Sequence, residues 1–122
     1  MNAIGTSLKD AYIITNQIFE DERGSFRESF NLRDIQKIIG PYEFVQDSHS
    51  ISTKNVVRGL HYQIEHAQGK LVRCIAGEIY DVIVDLRKNS ETFGKLVGFY
   101  LRPGPCLLYT SPSPRDKRQS RM

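Results

Sequence analysis

The sequence predicts a mainly β fold, a sandwich or a barrel, that carries one short helix. Short runs rich in Val, Ile, Phe and Tyr recur between turn residues, whereas helical spacing of apolar residues occurs in a single segment. No internal repeat of the solenoid type is found. We predict seven strands, which cover Ala11–Thr15, Ser25–Phe30, Glu43–Ser50, Val56–Gln63, Lys70–Ala76, Glu78–Leu86 and Gly94–Leu101.

The helix is predicted between the second and third strands. Asn31 is a suitable N-cap, Asp34 places a carboxylate in the first turn, and Gly40 ends the segment. Apolar residues recur between them at helical spacing, namely Leu32, Ile35, Ile38 and Ile39. We expect this helix to cover one face or opening of the sheet structure.

The composition is that of a single soluble domain. The chain has 122 residues, of which 39% are hydrophobic and 25% charged. No run is long and apolar enough for a membrane helix, and the N-terminus lacks a signal-peptide pattern, so we expect a cytoplasmic protein. Cys74 and Cys106 are too few for a disulfide framework and are expected to be reduced thiols.

The net charge of +3 comes entirely from the C-terminal tail. Residues 105–122 carry four basic side chains and one acidic side chain, so residues 1–104 are neutral overall. This distribution removes the case for a basic nucleic-acid-binding surface. We predict a folded body over residues 1–102 and a disordered tail over residues 103–122, which is rich in Pro, Ser and Arg.

The strand predicted at Glu78–Leu86 alternates between two faces. Tyr80 and Val82 share one face, while Asp81 and Asp85 share the other with isoleucines. Carboxylates on a partly apolar face fit a lined cavity, and they also fit an ordinary solvated sheet face.

Three segments concentrate polar side chains that can carry chemistry. The first holds Arg58, His61 and Lys70, and strict alternation would point Arg58 and His61 to opposite faces unless Gly59 permits a bulge. The second places Phe26, Glu28 and Phe30 on one strand face after a turn at Arg23; the third is the polar strand end Gln46, Asp47 and Ser48. Each pattern is also compatible with a purely structural role.

Together the three segments resemble the dTDP-4-dehydrorhamnose 3,5-epimerase family. The shared motifs are Asp-Glu-Arg-Gly-x-Phe-x-Glu-Ser-Phe, Phe-Val-Gln-Asp-x-His-Ser and Arg-Gly-Leu-His-Tyr-Gln, followed in order by Gln-Gly-Lys-Leu-Val-Arg and later runs up to about Leu101. The resemblance implies a cupin-type jelly roll, incomplete in this chain, and a homodimer when complete. It also implies epimerisation at C3 and C5 of a dTDP-linked 4-keto-6-deoxyhexose without a metal or other cofactor.

The resemblance also implies roles for individual residues. His61 matches the proton acceptor, and Lys70 matches a substrate-binding lysine able to stabilise negative charge on the 4-keto oxygen. The implied substrate-binding residues are Arg23, Phe26, Glu28, Gln46, Asp47, Ser48 and Arg58. At Ser48 the sequence departs from the asparagine common in this motif, which predicts a weaker or water-mediated contact there.

The resemblance ends near Leu101, before the part that supplies the family's tyrosine proton donor and a further histidine. Tyr109 lies in a segment that matches no family motif, so we do not assign it as that donor. The tail is interpreted either as a native linker or as translated cloning-adaptor sequence.

Three alternatives to a 3,5-epimerase stay open. A metal-dependent cupin would use histidines and Glu65, but the strand reads His-Tyr-Gln at 61–63 where a cupin metal motif needs His-x-His. A related sugar-nucleotide cupin, such as a 3-epimerase or a ketoisomerase, fits the same motifs. The third alternative is a non-catalytic fragment that binds a nucleotide sugar.

Overall fold

The computed structural model describes residues 1–110 of the chain, which form eight strands and one helix. The strands are β1 (Asn2–Gly5), β2 (Ala11–Thr15), β3 (Phe19–Asp21), β4 (Gly24–Phe26), β5 (Lys70–Val72), β6 (Ile79–Val84), β7 (Leu96–Leu101) and β8 (Cys106–Thr110), and the helix α1 is Leu32–Ile39. The predicted mainly β fold with one short helix is confirmed.

The largest sheet has four strands in the order β1-β2-β8-β5, with every neighbouring pair antiparallel. β8 therefore lies at its centre: Tyr109 is opposite Tyr12 of β2 on one side and Leu71 of β5 on the other. The remaining strands form two separate hairpins, β3-β4 and β6-β7.

The disorder predicted for residues 103–122 is wrong for Cys106–Thr110, because these residues form β8. Leu107, Leu108 and Tyr109 are buried there, so a short apolar run supplies core on both faces of the sheet. The prediction of disorder relied on the average composition of residues 103–122, in which Pro, Ser and Arg outweigh this short apolar run. Residues 111–122 lie outside the described part of the chain, and the boundary proposed at residue 102 stays a prediction.

Other strand boundaries also differ from the predictions. β2 agrees at both ends, whereas β4, β5, β6 and β7 are shorter than predicted and β1 and β3 were missed. The strands predicted at Glu43–Ser50 and Val56–Gln63 are absent: residues 43–63 contain no strand among the described residues. Their alternating pattern is suited to pairing, but they pair with no described strand.

The helix forms as predicted and covers one face of the four-stranded sheet. The Asn31 side chain accepts a hydrogen bond from the Asp34 backbone N–H at 3.3 Å, and Gly40 ends the helix with φ of 95°, a conformation that favours glycine. Ile38 and Ile39 pack against a buried cluster of Ile14, Leu107 and Tyr109.

The opposite face of β8 packs against the β6-β7 hairpin. Leu108 joins Cys74 and Leu101 in a second buried cluster, which Ile83 and Phe99 also contact. Because Asp81 and Asp85 share strand parity with Ile83, they lie on the inward side of the hairpin. Of the two interpretations of these carboxylates, the inward position favours the lined interior.

The outer side of the same hairpin is apolar. Tyr80 is paired with Tyr100, and their ring centroids lie 4.6 Å apart. A Cβ at Gly98 would come within 2.2 Å of the Tyr80 hydroxyl, so only glycine allows this ring to lie across the neighbouring strand.

A buried ion pair joins this hairpin to the loop before β2. The Asp85 carboxylate accepts hydrogen bonds from the Arg87 guanidinium at 3.0 Å and from the hydroxyls of Ser90 and Thr92 at 2.6 Å each. Arg87 also donates to the carboxylate of Asp10 at 2.7 Å. Burial opposes ionisation of Asp85, but these hydrogen bonds outweigh it and hold the pKa of its carboxyl below the usual range.

We expect the free energy of unfolding to fall as the pH rises from 10 to 12, and Tyr109→Phe to reduce this fall. Burial raises the pKa of Tyr109 to about 12 from 10.0. The neutral phenol therefore stabilises the fold fully below pH 10, and this contribution is lost as the pH approaches 12. Urea unfolding between pH 8 and 12 measures the slope. Tyr100→Phe, at an exposed position, is the control; equal slopes in the two variants would contradict the assignment.

Candidate active site

The predicted site residues lie mostly on loops and on the β3-β4 hairpin, and most of them are exposed. Arg23 occupies the turn between β3 and β4, where its guanidinium binds the Asp21 carboxylate at 2.6 Å. Phe26 ends β4, opposite Phe19, and Glu28 follows it in an extended connection to the helix. The hairpin thus presents a cation at its tip and two exposed aromatic rings at its base.

The segment between the helix and β5 positions five more of the predicted residues. The Gln46 side-chain amide donates to the Ser48 hydroxyl at 3.1 Å, and Asp47 lies exposed between them. Arg58 donates to the Ser52 hydroxyl at 2.9 Å and to the Ile51 carbonyl at 3.3 Å. These local contacts hold the loop without a neighbouring strand.

Gly59 resolves the orientation problem between Arg58 and His61. Its φ of 99° lies in the region that favours glycine, so strict strand alternation does not apply to this segment. A Cβ at Gly59 would lie 3.3 Å from the Nδ1 atom of His61, and the imidazole therefore rests directly against the glycine. The sequence analysis considered a bulge at Gly59 that would bring the two side chains to one side of a strand. In the structure, residues 56–63 form an irregular loop instead of a strand.

Lys70 begins β5 and has an electrostatic partner that the sequence analysis did not select. Burial raises the pKa of the Asp81 carboxyl above its usual value, and the positive charge of Lys70 acts in the opposite direction. Asp81 is thus a half-buried carboxyl that faces inward near Lys70. The available signal was its position among isoleucines on the inward face of β6, which sequence reasoning left undecided.

The arrangement provides a base, a cation and hydrogen-bonding groups, but they are not in mutual contact. Within residues 1–110, no hydrogen bond joins His61 to Lys70, Arg58 or Arg23. No cluster of three or more His, Cys, Asp or Glu side chains suited to a metal ion occurs in the described part of the chain. Among the same residues, no helix is long and apolar enough to cross a membrane.

Tyr109 does not lie in this exposed region. Its ring is buried beneath the helix, stacked on Tyr12 with 6.3 Å between centroids and edge-on to Phe44 at 6.4 Å. Its position is that of a core residue.

The fold places the chain among cupin-like β proteins, because the solved structures that superpose on it are epimerases of that fold. A family model described as dTDP-4-dehydrorhamnose 3,5-epimerase matches residues 5–107. The chain belongs to this family.

The individual relatives agree with the family match. The dTDP-4-dehydrorhamnose 3,5-epimerase of Shigella flexneri is 57% identical over 103 residues, which are 83% of this chain and 57% of that protein. The epimerase structure from Elizabethkingia anophelis superposes with a TM-score of 0.86 at 46% identity, covering 93% of this chain and 63% of that one. The Legionella pneumophila epimerase, solved in complex with dTDP-4-keto-L-rhamnose, gives 0.87 at 43% identity and covers 92% and 61%. The chain thus spans little more than half the length of the curated relative.

Proposed function

We propose that this chain carries the proton acceptor and much of the substrate-binding surface of a 3,5-epimerase. The reaction converts dTDP-4-dehydro-6-deoxy-D-glucose to dTDP-4-dehydro-L-rhamnose, a step toward dTDP-L-rhamnose. The observation that supports the proposal most strongly is the family match over residues 5–107, which contains all nine predicted site residues.

The chemistry follows from the carbonyl at C4 of the sugar. The hydrogens on C3 and C5 are acidic because the negative charge left after proton removal is delocalised onto the 4-keto oxygen. The base takes a proton from one face and an acid returns a proton from the opposite face, so each centre inverts and no atom is gained or lost overall. This balance involves no change of oxidation state, and we propose that the reaction uses no metal or redox cofactor.

We assign proton removal to His61 and charge stabilisation to Lys70. An imidazole has an unperturbed pKa near neutrality, so it can accept a proton and release it at the pH of the cell. The Lys70 ammonium is a fixed cation that favours the enolate over the ketone. The half-buried Asp81 supports this assignment, because the positive charge of Lys70 acts on its carboxyl and the two groups therefore lie close together on the inward side.

The arginines are suited to the pyrophosphate of the substrate. The Asp21–Arg23 ion pair is exposed, and exposed pairs contribute little stability. A pyrophosphate can therefore replace the Asp21 carboxylate with little loss of folding free energy and form a bidentate contact with the Arg23 guanidinium. Arg58 is held by neutral oxygens alone, which leaves its charge available to an anion. Phe26 offers an exposed ring for the thymine base, while Glu28, Gln46, Asp47 and Ser48 provide polar contacts.

We also propose that the complete enzyme is a cytoplasmic homodimer with no nucleic-acid or membrane partner. The β3-β4 hairpin supports a dimer, because it pairs only with itself among the described strands and exposes Phe19 and Phe26. An isolated two-stranded hairpin is marginally stable in water, and packing against a second copy would stabilise it.

Deuterium exchange tests the reaction. The chain, joined to the unmatched remainder of the Shigella flexneri relative as one polypeptide, is incubated in deuterium oxide with dTDP-4-dehydro-6-deoxy-D-glucose. We expect label at both C3 and C5, measured by NMR. Label at only one carbon would indicate a related single-site enzyme, and binding without any exchange would indicate a non-catalytic nucleotide-sugar-binding protein.

A further inference from the structure

We infer that Asp81 is a positioning residue for the proposed reaction: its carboxylate draws the Lys70 ammonium into the space between β5 and the β6-β7 hairpin and leaves that ammonium available to a substrate oxygen. The inference deepens the function proposed above and rests on it. Asp81 is not among the residues that the family motifs assign to the site. Its role follows from what surrounds it.

The side chains of Lys70 and Asp81 face the same interior space. Val72 of β5 and Ile83 of β6 both pack against the second buried cluster described above. Side chains two positions apart on a strand share a face, so Lys70 lies on the same side of β5 as Val72. By the same spacing, Asp81 lies on the same side of β6 as Ile83. The ammonium and the carboxyl group therefore approach this space from opposite walls.

The wall that carries Asp81 is apolar next to the carboxyl group. Phe99 of β7 is directly opposite Asp81 in the strand register, and Ile79 and Ile83 flank it along β6. A half-buried carboxylate among apolar side chains is unfavourable unless a cation compensates its charge, and burial accordingly raises the pKa of the Asp81 carboxyl. Lys70 supplies such a cation, since its positive charge lowers the same pKa.

The attraction between Lys70 and Asp81 acts across a gap. Within residues 1–110 no ion pair or hydrogen bond joins them, whereas Asp85, a second carboxylate on this face of the hairpin, contacts Arg87 directly at 3.0 Å. A carboxylate in direct contact would occupy N–H donors of the ammonium. At a distance, the Asp81 carboxylate attracts the ammonium inward and leaves its donors available to the 4-keto oxygen as negative charge develops there.

An NMR titration of the full chain tests the pairing without catalysis. Lys70→Met removes the charge and keeps most of the apolar stem, so we expect it to raise the pKa of the Asp81 carboxyl further. Lys37→Met is the matched control, because it removes the same charge from the helix, which packs on the other face of the four-stranded sheet. An Asp81 pKa that Lys70→Met leaves unchanged, or that both variants raise equally, would overturn the inference.

Turnover tests the positioning role, with the variants made in the chain joined to the Shigella remainder. Asp81→Asn should lower kcat by about 10–100-fold with little change in KM, because misplacing a group by about 1 Å can cost about 10²-fold in rate. Asp81→Glu keeps the charge and should restore part of the loss. In a Lys70→Met background, Asp81→Asn should cost nothing further, since no cation is left to position.

Glu78→Gln is the control for turnover. It removes a carboxylate immediately before β6, where the partner is Arg102 at the exposed end of the hairpin, and kcat should stay near that of the parent. A loss from Asp81→Asn that persists in full in the Lys70→Met background would overturn the inference, because Asp81 would then act independently of Lys70. Coupled titration in a joined chain that shows no turnover would support the pairing and count against the proposed function instead.

Discussion

Replacing His61 by asparagine is expected to lower epimerase turnover by about 10²–10⁴-fold, the usual contribution of a positioned acid–base group. Asparagine keeps a polar side chain of similar size against Gly59 but cannot accept a proton from carbon. The variant is made in the chain joined to the Shigella remainder, and turnover is measured with substrate in excess. Affinity for dTDP should change little, because the imidazole acts on the sugar and not on the nucleotide.

His66→Asn is the control for this prediction. His66 lies five positions further along the same exposed loop, at a backbone φ of 53° that asparagine tolerates. It was not selected as a site residue, so turnover should stay near that of the parent enzyme. Equal losses in the two variants would remove His61 from the role of base.

Replacing Asp85 by alanine is expected to destabilise the chain by about 3–5 kcal/mol, the range for breaking one partner of a buried ion pair. The Asp85 and Arg87 side chains are only 3% and 15% exposed. Without the carboxylate, Arg87 retains Asp10, while the Ser90 and Thr92 hydroxyls lose their acceptor. Urea unfolding at pH 7 measures the loss. The parent chain should also lose stability as the pH falls below the unfolded pKa of an aspartate, since the folded pKa is lower.

Asp21→Ala provides the comparison, because it removes one partner of an exposed ion pair. Solvent screens such a pair and the two side chains lose entropy in forming it, so the shift in the urea midpoint should be small. A shift as large as that of Asp85→Ala would mean that burial does not distinguish the two pairs.

The elements predicted well are those whose signals are local. The helix depends on an N-cap at Asn31, an apolar stripe and a terminating glycine, all within ten residues of one another. β2 is likewise defined by a short apolar run bounded by polar residues. For these segments the neighbouring sequence contains most of the information that determines the structure.

Strands depend on partners that a local pattern does not reveal. Residues 43–63 have strand-like alternation but pair with no described strand, while β8 is flanked by Pro- and Ser-containing sequence and yet lies between two strands. The candidate site shows the same limit. The motif residues were found by resemblance, but Asp81 was recognised only when the hairpin placed its inward face near Lys70. Side-chain surroundings arise from long-range packing, which sequence spacing does not encode.

The central position of β8 has a consequence for how the chain acquires its fold. Ala11 is paired with Thr110, so β2 has no neighbour on one side until nearly the whole described chain has been synthesised. Among the described strands, β5 also pairs with β8 alone. Pairings this distant in sequence close large loops and form slowly. During translation, the edge of β2 that will pair with β8 therefore stays unpaired until β8 has been synthesised. We expect the nascent chain to be most prone to aggregation during this interval.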